Sequence, residues 1–109
     1  MSADAEAALT ELMRQAARIE EEVARVRGHG EAAQGAVRAE VDATGVLVGL
    51  YIAETLQGVA VQDIGRMVVH AQRVACEQAR GSVTELRRVL TENPYAAALF
   101  HRAAAEGMR

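Results

Sequence analysis

The sequence GAVRAEVDATGVLVGLYI, at residues 35–52, is the clearest β segment in a chain that otherwise consists largely of helix formers. Apolar and charged residues alternate from Val37 to Asp42, which is the period of two typical of a half-buried strand. Residues 46–52 follow without a charge and are rich in β-branched side chains. Because only Ala43, Thr44 and Gly45 separate the two runs, the segment predicts a β-hairpin.

The second predicted strand is apolar on both of its faces. Strict alternation predicts one face made of Val46, Val48, Leu50 and Ile52, and an opposite face made of Leu47, Gly49 and Tyr51. A short chain has few elements with which to cover both faces, so we expect a second copy of the chain to cover one of them. The candidate dimer interface on this strand consists of Leu47, Val48, Leu50, Tyr51 and Ile52.

The composition also favours a dimer. The chain has 109 residues, enough for a single domain, and half of them are apolar, but aromatic residues make up only 3 %. Alanine dominates the apolar fraction and buries much less area than the larger aliphatic side chains, whose burial is worth roughly 1.5–3 kcal/mol each. Small domains with thin cores are commonly completed by oligomerisation.

Charge, cysteine content and hydropathy limit the location of the protein. The formal net charge is −3, and all 12 basic residues are arginine. The single cysteine, Cys76, excludes an internal disulfide and is typical of a reducing cytoplasm. The N-terminus lacks the features of a signal peptide, and no uncharged run approaches the ~18 residues of a membrane span. We therefore expect a cytoplasmic protein without a membrane partner.

The first 27 residues predict a helix with a narrow apolar seam. From residue 3 to residue 27, apolar residues recur at spacings of four and three: Ala5, Leu9, Leu12, Ala16, Ile19, Val23 and Val26. Such a seam suits packing against one other helix, so Leu12 and Ile19 join the candidate dimer interface. Gly28 and Gly30 are predicted to end the helix, and residues 28–34 to form a connector with a short edge strand near residues 25–30.

The C-terminal half predicts two more helices. The longer one is expected from about Val59 to Leu90, with Gly58 as its N-cap and an interruption at Gly81-Ser82. Asn93-Pro94 predicts the start of a short final helix that reaches about residue 106. The fold class is therefore α+β, with a domain at residues 1–92 and a helical extension at residues 93–109.

Several of these features follow one another along the chain in the order and spacing of a known protein family. They are the glycine-led strand Gly35-Ala36-Val37, the turn glycine Gly45, the strand end Leu50-Tyr51-Ile52, and a long helix containing Val68, Val69, Ala71, Gln72 and Ala75. Over roughly residues 5–90, this arrangement resembles the YbaB/EbfC family of nucleoid-associated proteins. The resemblance implies a tweezer-shaped homodimer that binds DNA and has no catalytic activity.

The sequence also departs from the usual family pattern. Ala53-Glu54 stands where the family strand usually ends in an Asp-Pro-like pair, and the acidic pair typical of the long helix is not evident near residues 64–67. Residues 94–109 extend past the usual family end, and this extension looks like that of a divergent branch associated with type VII (ESX) secretion systems. That likeness implies a protein partner rather than DNA.

Arginine spacing supplies the candidate DNA-binding residues. Four arginines lie seven residues apart on the predicted long helix: Arg66, Arg73, Arg80 and Arg87. They share one helix face over about 31 Å, so two such rows in a dimer could follow DNA backbones. The alternative is an ordinary solvated helix face. Arg14 and Arg18 on the first helix are a weaker set, because the acidic run Glu20–Glu22 lies among its arginines.

Other chemistry is not indicated by the sequence. His29, His70 and His101 are isolated, and none is spaced with cysteine or carboxylates as metal ligands are. His29 is expected in a loop, and Cys76 is expected to be a small packing residue. No nucleophile–base set or phosphate-binding loop is present, so we expect no enzyme, cofactor, metal or small-molecule substrate.

Two hypotheses follow. The first is a cytoplasmic, nucleoid-associated homodimer that binds DNA through backbone phosphates with little sequence specificity. The alternative is an accessory protein or chaperone of a type VII secretion system that binds protein. The resemblance of residues 5–90 favours the first hypothesis, whereas the net charge of −3 and the C-terminal extension favour the second.

Overall fold

The computed structural model describes residues 3–93 and has the predicted α+β class. Its elements are α1 (Ala3–Ala24), β1 (Arg27–Ala32), β2 (Val37–Asp42), β3 (Leu47–Ile52) and α2 (Val61–Glu92). Short 3₁₀ turns at Ala33–Gly35 and Glu54–Leu56 follow β1 and β3. The predicted helix at residues 94–106 lies outside the described residues.

The chain divides into two compact units, and α2 contributes to both. Among the described residues, one unit combines residues 3–22 with residues 84–93, and the other is Val23–Val83. In the first unit, Leu12, Ile19 and Leu90 are buried. The second unit contains a three-stranded antiparallel sheet in the order β1-β2-β3, together with the first two-thirds of α2.

Strand β1 confirms the predicted edge strand near residues 25–30 but corrects its bounds, which are Arg27–Ala32. The first helix ends at Ala24, and Gly28 and Gly30 lie inside β1 rather than terminating the helix or forming a connector. His29 is likewise in this strand and not in a loop. Gly28 and Gly30 occupy the buried positions of this strand, where a half-buried strand usually has apolar side chains. The apolar period of two that identifies a strand is therefore missing from the sequence.

The two strand glycines allow α2 to approach β1 very closely. A Cβ atom at Gly28 would overlap the backbone carbonyl oxygen of Ala75, and one at Gly30 would overlap that of Ala71. The facing helix residues are themselves small, since Ala71, Ala75 and Ala79 are at most 1 % exposed. Backbone thus packs on backbone, which is one of the uses of glycine in a strand.

The core lies between α2 and the first two strands. Val37, Ala39 and Val41 of β2 point toward α2 and are buried, as is Leu56 from the turn after β3. On β3, by contrast, Leu50 is 45 % exposed and Ile52 is 42 % exposed. Because α2 lies over β1 and β2, the apolar face of β3 is left uncovered in a single chain.

A β-bulge changes the predicted faces of β3. Val37 pairs with Ile52 and Ala39 with Leu50, but the register shifts after Glu40, so that Val41 pairs with Leu47 and Val48 is the extra residue. Paired residues share a face, so Leu47 lies with Leu50 and Ile52. The prediction that Leu47 lies opposite them is wrong, because strict alternation does not hold across a bulge.

Helix α2 is shifted two residues toward the C-terminus and is more regular than predicted. Its first helical hydrogen bonds go to the carbonyl of Ala60, so it begins two residues later than expected and Gly58 is not its N-cap. It continues without a break through Gly81-Ser82 to Glu92. One glycine costs only about 1 kcal/mol relative to alanine in a helix, which the packed alanine face offsets.

The carboxylate of Asp42 organises the turn between β2 and β3. Its Oδ1 accepts hydrogen bonds from the Thr44 hydroxyl (2.6 Å) and from the backbone N–H groups of Thr44 (2.9 Å) and Val46 (3.0 Å). These bonds, that of the Thr44 hydroxyl above all, lower the pKa of Asp42 below its ordinary value of 3.8. Gly45 completes the turn at a φ of 89°, a conformation that glycine adopts without strain.

The contact between glycine and helix backbone can be tested by adding one methyl group. We expect Gly30→Ala to lower the free energy of unfolding by about 1–3 kcal/mol or more, since the new Cβ meets backbone that cannot rotate away. Gly81→Ala is the matched control, because no described atom outside the adjacent residues and the surrounding helix backbone lies within 4 Å of its added Cβ. It should raise that free energy by about 0.5–1 kcal/mol. Urea denaturation of both variants measures this difference, and similar effects would contradict the close packing.

The turn predicts a pH dependence of stability. Because the pKa of Asp42 is lowered on folding, its contribution is complete above the unfolded value of 3.8 and is lost as the pH falls through the lowered folded value. Asp42→Asn should therefore destabilise the protein near neutral pH. The difference from wild type in urea denaturation should shrink at about pH 3. An equal difference at both pH values would show that the carboxylate charge does not stabilise the turn.

Candidate nucleic-acid interface

Helix α2 carries all four arginines of the predicted row. Arg66, Arg73 and Arg80 belong to the Val23–Val83 unit, and their side chains are exposed. Successive members are about 10.5 Å apart along the helix axis and drift by only ~20° around it. These three arginines, hereafter the α2 arginine row, thus form one exposed face.

The members of the α2 arginine row are almost free of intramolecular partners. Within residues 3–93, neither Arg73 nor Arg80 forms an ion pair or a side-chain hydrogen bond. Arg66 makes one contact of 3.4 Å with Asp63, three residues earlier on the helix. Exposed pairs of this kind contribute little to stability, so the Arg66 guanidinium can exchange Asp63 for another anion at low cost.

Arg87, the fourth predicted member, is already occupied. Its Nε and Nη2 atoms each donate a hydrogen bond of 3.0 Å to the two carboxylate oxygens of Glu20. This bidentate pair lowers the pKa of Glu20 and raises that of Arg87. Binding of a phosphate by Arg87 would require Glu20 to be displaced, which sets this residue apart from Arg73 and Arg80.

The weaker candidates on α1 share one carboxylate. Arg14 approaches Glu11 at 2.9 Å and Arg18 approaches the same residue at 3.5 Å. A single acid thus offsets part of the charge of both arginines. Arg14 and Arg18 together remain a less favourable anion site than the α2 arginine row.

Two further residues on the same face of α2 affect its charge. His70 is exposed one turn after Arg66 and lies with Arg66 and Arg73 along a shallow depression. Glu77 is exposed between Arg73 and Arg80 and reduces the positive charge of the face. His70 is isolated from metal-ligating residues in the sequence, but its spacing of four and three residues from Arg66 and Arg73 places it on the row.

The candidate dimer residues separate into two groups. Those on β3 are exposed in the single chain: Leu47, Val48, Leu50, Tyr51 and Ile52. Leu12 and Ile19 on α1 are each 8 % exposed, because the single chain already buries them. Only the β3 group therefore offers an uncovered apolar surface.

The remaining predicted residues do not assemble into a metal or catalytic centre in the part of the chain that is described. No group of three histidine, cysteine or acidic side chains there could hold a metal ion. The His29 Nε2 atom lies 2.9 Å from a carboxylate oxygen of Glu40 on the neighbouring strand. Cys76 is half-buried, with its Sγ atom 3.6 Å from the carbonyl oxygen of Gly45.

Comparison with known proteins establishes the class of this protein. The model of the YbaB/EbfC DNA-binding family matches residues 2–93, and the chain belongs to that family. Among solved structures, an uncharacterized protein, HP0035 from Helicobacter pylori, is similar with a TM-score of 0.52 and 20 % sequence identity. The match covers 78 % of this chain and 95 % of that one, and at this identity it supports the fold alone. Comparison with curated proteins gives no match.

The family match confirms the resemblance noted in the sequence. It spans both units, including the β-hairpin and the whole of α2. Across residues 3–93, neither helix is long and apolar enough to cross a membrane.

Proposed function

We propose that this protein is a nucleoid-associated protein that binds duplex DNA through the α2 arginine row, with little sequence specificity. The observation that carries the proposal is the pair Arg73 and Arg80, two exposed guanidinium groups without a partner among the described residues. Membership of a DNA-binding family supports a polyanion as the ligand for them. The prediction of cytoplasmic location is part of this proposal.

The chemistry of the row favours contacts with phosphates rather than with bases. Helix α2 contains no Phe, Tyr or Trp that could stack on an unpaired base. Phosphate groups are the same in every DNA sequence, so arginine contacts with their oxygens give affinity without sequence specificity. Because Glu77 lies within the row, we expect weak binding by one chain and a strong dependence on salt.

A homodimer is part of the proposal, and β3 supports it. The uncovered face of β3 consists of Leu47, Val48, Leu50 and Ile52, each more than one-third exposed. Contiguous apolar patches of this kind mark interaction sites in soluble proteins. Two copies joined there would present two α2 arginine rows to one DNA molecule and double the number of phosphate contacts.

The alternative partner is a protein, as the resemblance of the C-terminal extension to type VII secretion-associated proteins implies. The net charge of −3 favours this alternative over DNA, and the uncovered face of β3 could bind a protein as well as a second copy. The prediction for the extension at residues 93–109 falls outside the described residues. Salt dependence distinguishes the two ligands, because apolar docking responds little to ionic strength.

The DNA proposal is tested by two double variants that remove the same charge from the same helix. We expect Arg73→Ala/Arg80→Ala to weaken binding of a duplex of about 30 bp and to reduce the slope of log K against log salt by about 1 per lost contact. Fluorescence polarisation at several salt concentrations measures both quantities. Glu77→Gln should strengthen binding, since it removes the acid within the row.

The control is Arg87→Ala/Arg88→Ala. Arg87 is bound to Glu20, and Arg88 contacts Glu85 at 3.1 Å and Glu92 at 3.3 Å, so both charges are already offset. This variant should leave the salt slope nearly unchanged. Equal losses in the two variants would refute the assignment to the α2 arginine row, and no binding by wild type at low salt would favour a protein partner.

The dimer proposal is tested by a charge on β3. Leu50 is 45 % exposed in the single chain, so Leu50→Asp should leave each chain folded while placing a charge in the proposed interface. We expect a folded monomer by light scattering and circular dichroism. Val61→Asp, at a position that is 83 % exposed and outside β3, should remain dimeric. A dimeric Leu50→Asp variant would exclude β3 as the interface.

A further inference from the structure

A shallow depression lies on the exposed face of α2, along the α2 arginine row. It is lined by residues of α2 alone: Gln62, Gly65, Arg66, Val69, His70 and Arg73. Gly65 contributes no side chain, and apart from adjacent residues and the surrounding helix backbone no described atom lies within 4 Å of where its Cβ would be. The depression is therefore open to solvent and accessible to a large ligand such as a DNA duplex.

His70 lies between two arginines of the row on the helix surface. It follows Arg66 by four residues and precedes Arg73 by three, spacings at which Cβ atoms are roughly 5–6 Å apart. Its side chain is exposed and forms no hydrogen bond or ion pair with any residue among 3–93. His29, in contrast, lies 2.9 Å from Glu40. The imidazole of His70 is thus free to bind a ligand beside two guanidinium groups.

The charges of α2 around His70 favour an anion as that ligand. The nearest carboxylates along the helix are those of Asp63 and Glu77, each seven residues away and about 10.5 Å along the helix axis. Asp63 already contacts Arg66. Since the closest charged neighbours on α2 are both arginines, negative charge beside the ring has to come from a bound ligand.

The elements packed against the other side of α2 direct their charges elsewhere. On β1 and β2 the charged and titratable residues alternate with those that face α2, so they lie on the outer face of the sheet. These residues are Arg27, His29, Glu31, Arg38, Glu40 and Asp42. Glu54, in the turn after β3, lines a different depression together with Ile64. Within the described part of the chain, only α2 therefore contributes charge to the depression at His70.

The phosphates of a DNA strand fit this arrangement. Arg66 and Arg73 are about 10.5 Å apart along the helix axis, whereas successive phosphates of one strand advance only about 3.4 Å along the duplex axis. A strand that contacts both arginines thus carries phosphate between the two contacts, where His70 lies. Both imidazole nitrogens donate hydrogen bonds only when the ring is protonated, so the charged form is the better phosphate ligand.

From this placement we propose that His70 binds a DNA phosphate between Arg66 and Arg73 in its protonated form, which couples DNA binding to the uptake of a proton. The inference rests on the proposed function and adds a regulation by pH to the same surface. Histidine is the side chain that ordinarily changes its charge between about pH 5 and pH 8. A bound phosphate favours the charged ring, so DNA binding strengthens as the pH falls through this range.

Duplex titrations at about pH 7.5 and about pH 5.5 test the coupling. For wild type we expect the dissociation constant to be about three- to tenfold lower at the lower pH, since a shift of one pKa unit corresponds to a tenfold change in an equilibrium constant. The slope of log K against log salt should also become steeper by about 0.9, because one more phosphate is neutralised. Fluorescence polarisation of the duplex of about 30 bp measures both quantities.

Three variants separate His70 from the other histidines. His70→Gln should bind like wild type at about pH 7.5 but should not bind more tightly at about pH 5.5. The reciprocal control, His29→Gln/His101→Gln, keeps His70 as the single histidine of the chain and should retain the full increase in affinity. His70→Arg is charged at both pH values, so it should bind tightly at both. Circular dichroism at both pH values checks that each variant is folded.

The results that overturn the inference differ from the result that refutes DNA binding. An increase in affinity that persists in His70→Gln, or one that is lost in the reciprocal control, would assign the titrating group to another residue. Equal wild-type affinity at the two pH values would remove the coupling and leave the DNA function intact. No binding by wild type at low salt at either pH would refute the DNA function and the inference with it.

The proton can also be counted directly. Isothermal titration calorimetry in two buffers with different heats of ionisation gives the number of protons taken up for each chain that binds. At about pH 6.5 we expect uptake of a fraction of one proton by wild type and by the reciprocal control, and almost none by His70→Gln. Equal uptake by wild type and His70→Gln would contradict the role of His70.

Discussion

The contact of α2 with β1 at Gly28 and Gly30 determines much of the second unit. With any other residue at these positions, a side chain would separate the helix from the strand. The close contact buries Ala71 and Ala75 completely, so small side chains suffice to build a core. An alanine-rich, aromatic-poor chain can fold in this way because backbone contributes to the packing that large side chains usually supply.

The same contact leaves β3 uncovered. A helix can lie over only about two strands, and α2 lies over β1 and β2, so the valines of β2 are buried while Leu50 and Ile52 remain half exposed. The bulge at Val48 then adds Leu47 to the exposed face. Close packing at the β1 edge of the sheet and the uncovered apolar strand β3 at the opposite edge therefore both follow from the position of α2.

On the exposed faces of the helices, ion pairs determine which arginines are available to a ligand. Identical spacing makes Arg66, Arg73, Arg80 and Arg87 equivalent in the sequence. In the structure Glu20 holds Arg87 by two hydrogen bonds, whereas Arg73 and Arg80 have no partner among residues 3–93. An acidic protein can therefore carry a basic face, since local pairing rather than net charge controls which guanidinium groups are free.

The sequence by itself determined the α+β class, the hairpin, the long helix and the resemblance to the YbaB/EbfC family, because each depends on a local period or on order along the chain. It also determined the spacing of the arginines. Only the tertiary structure decided that Gly28 and Gly30 pack against the backbone of α2, that Leu47 changes face, and that Arg87 is paired with a residue 67 positions away. These features depend on contacts between distant residues, which periodicity within one segment does not encode.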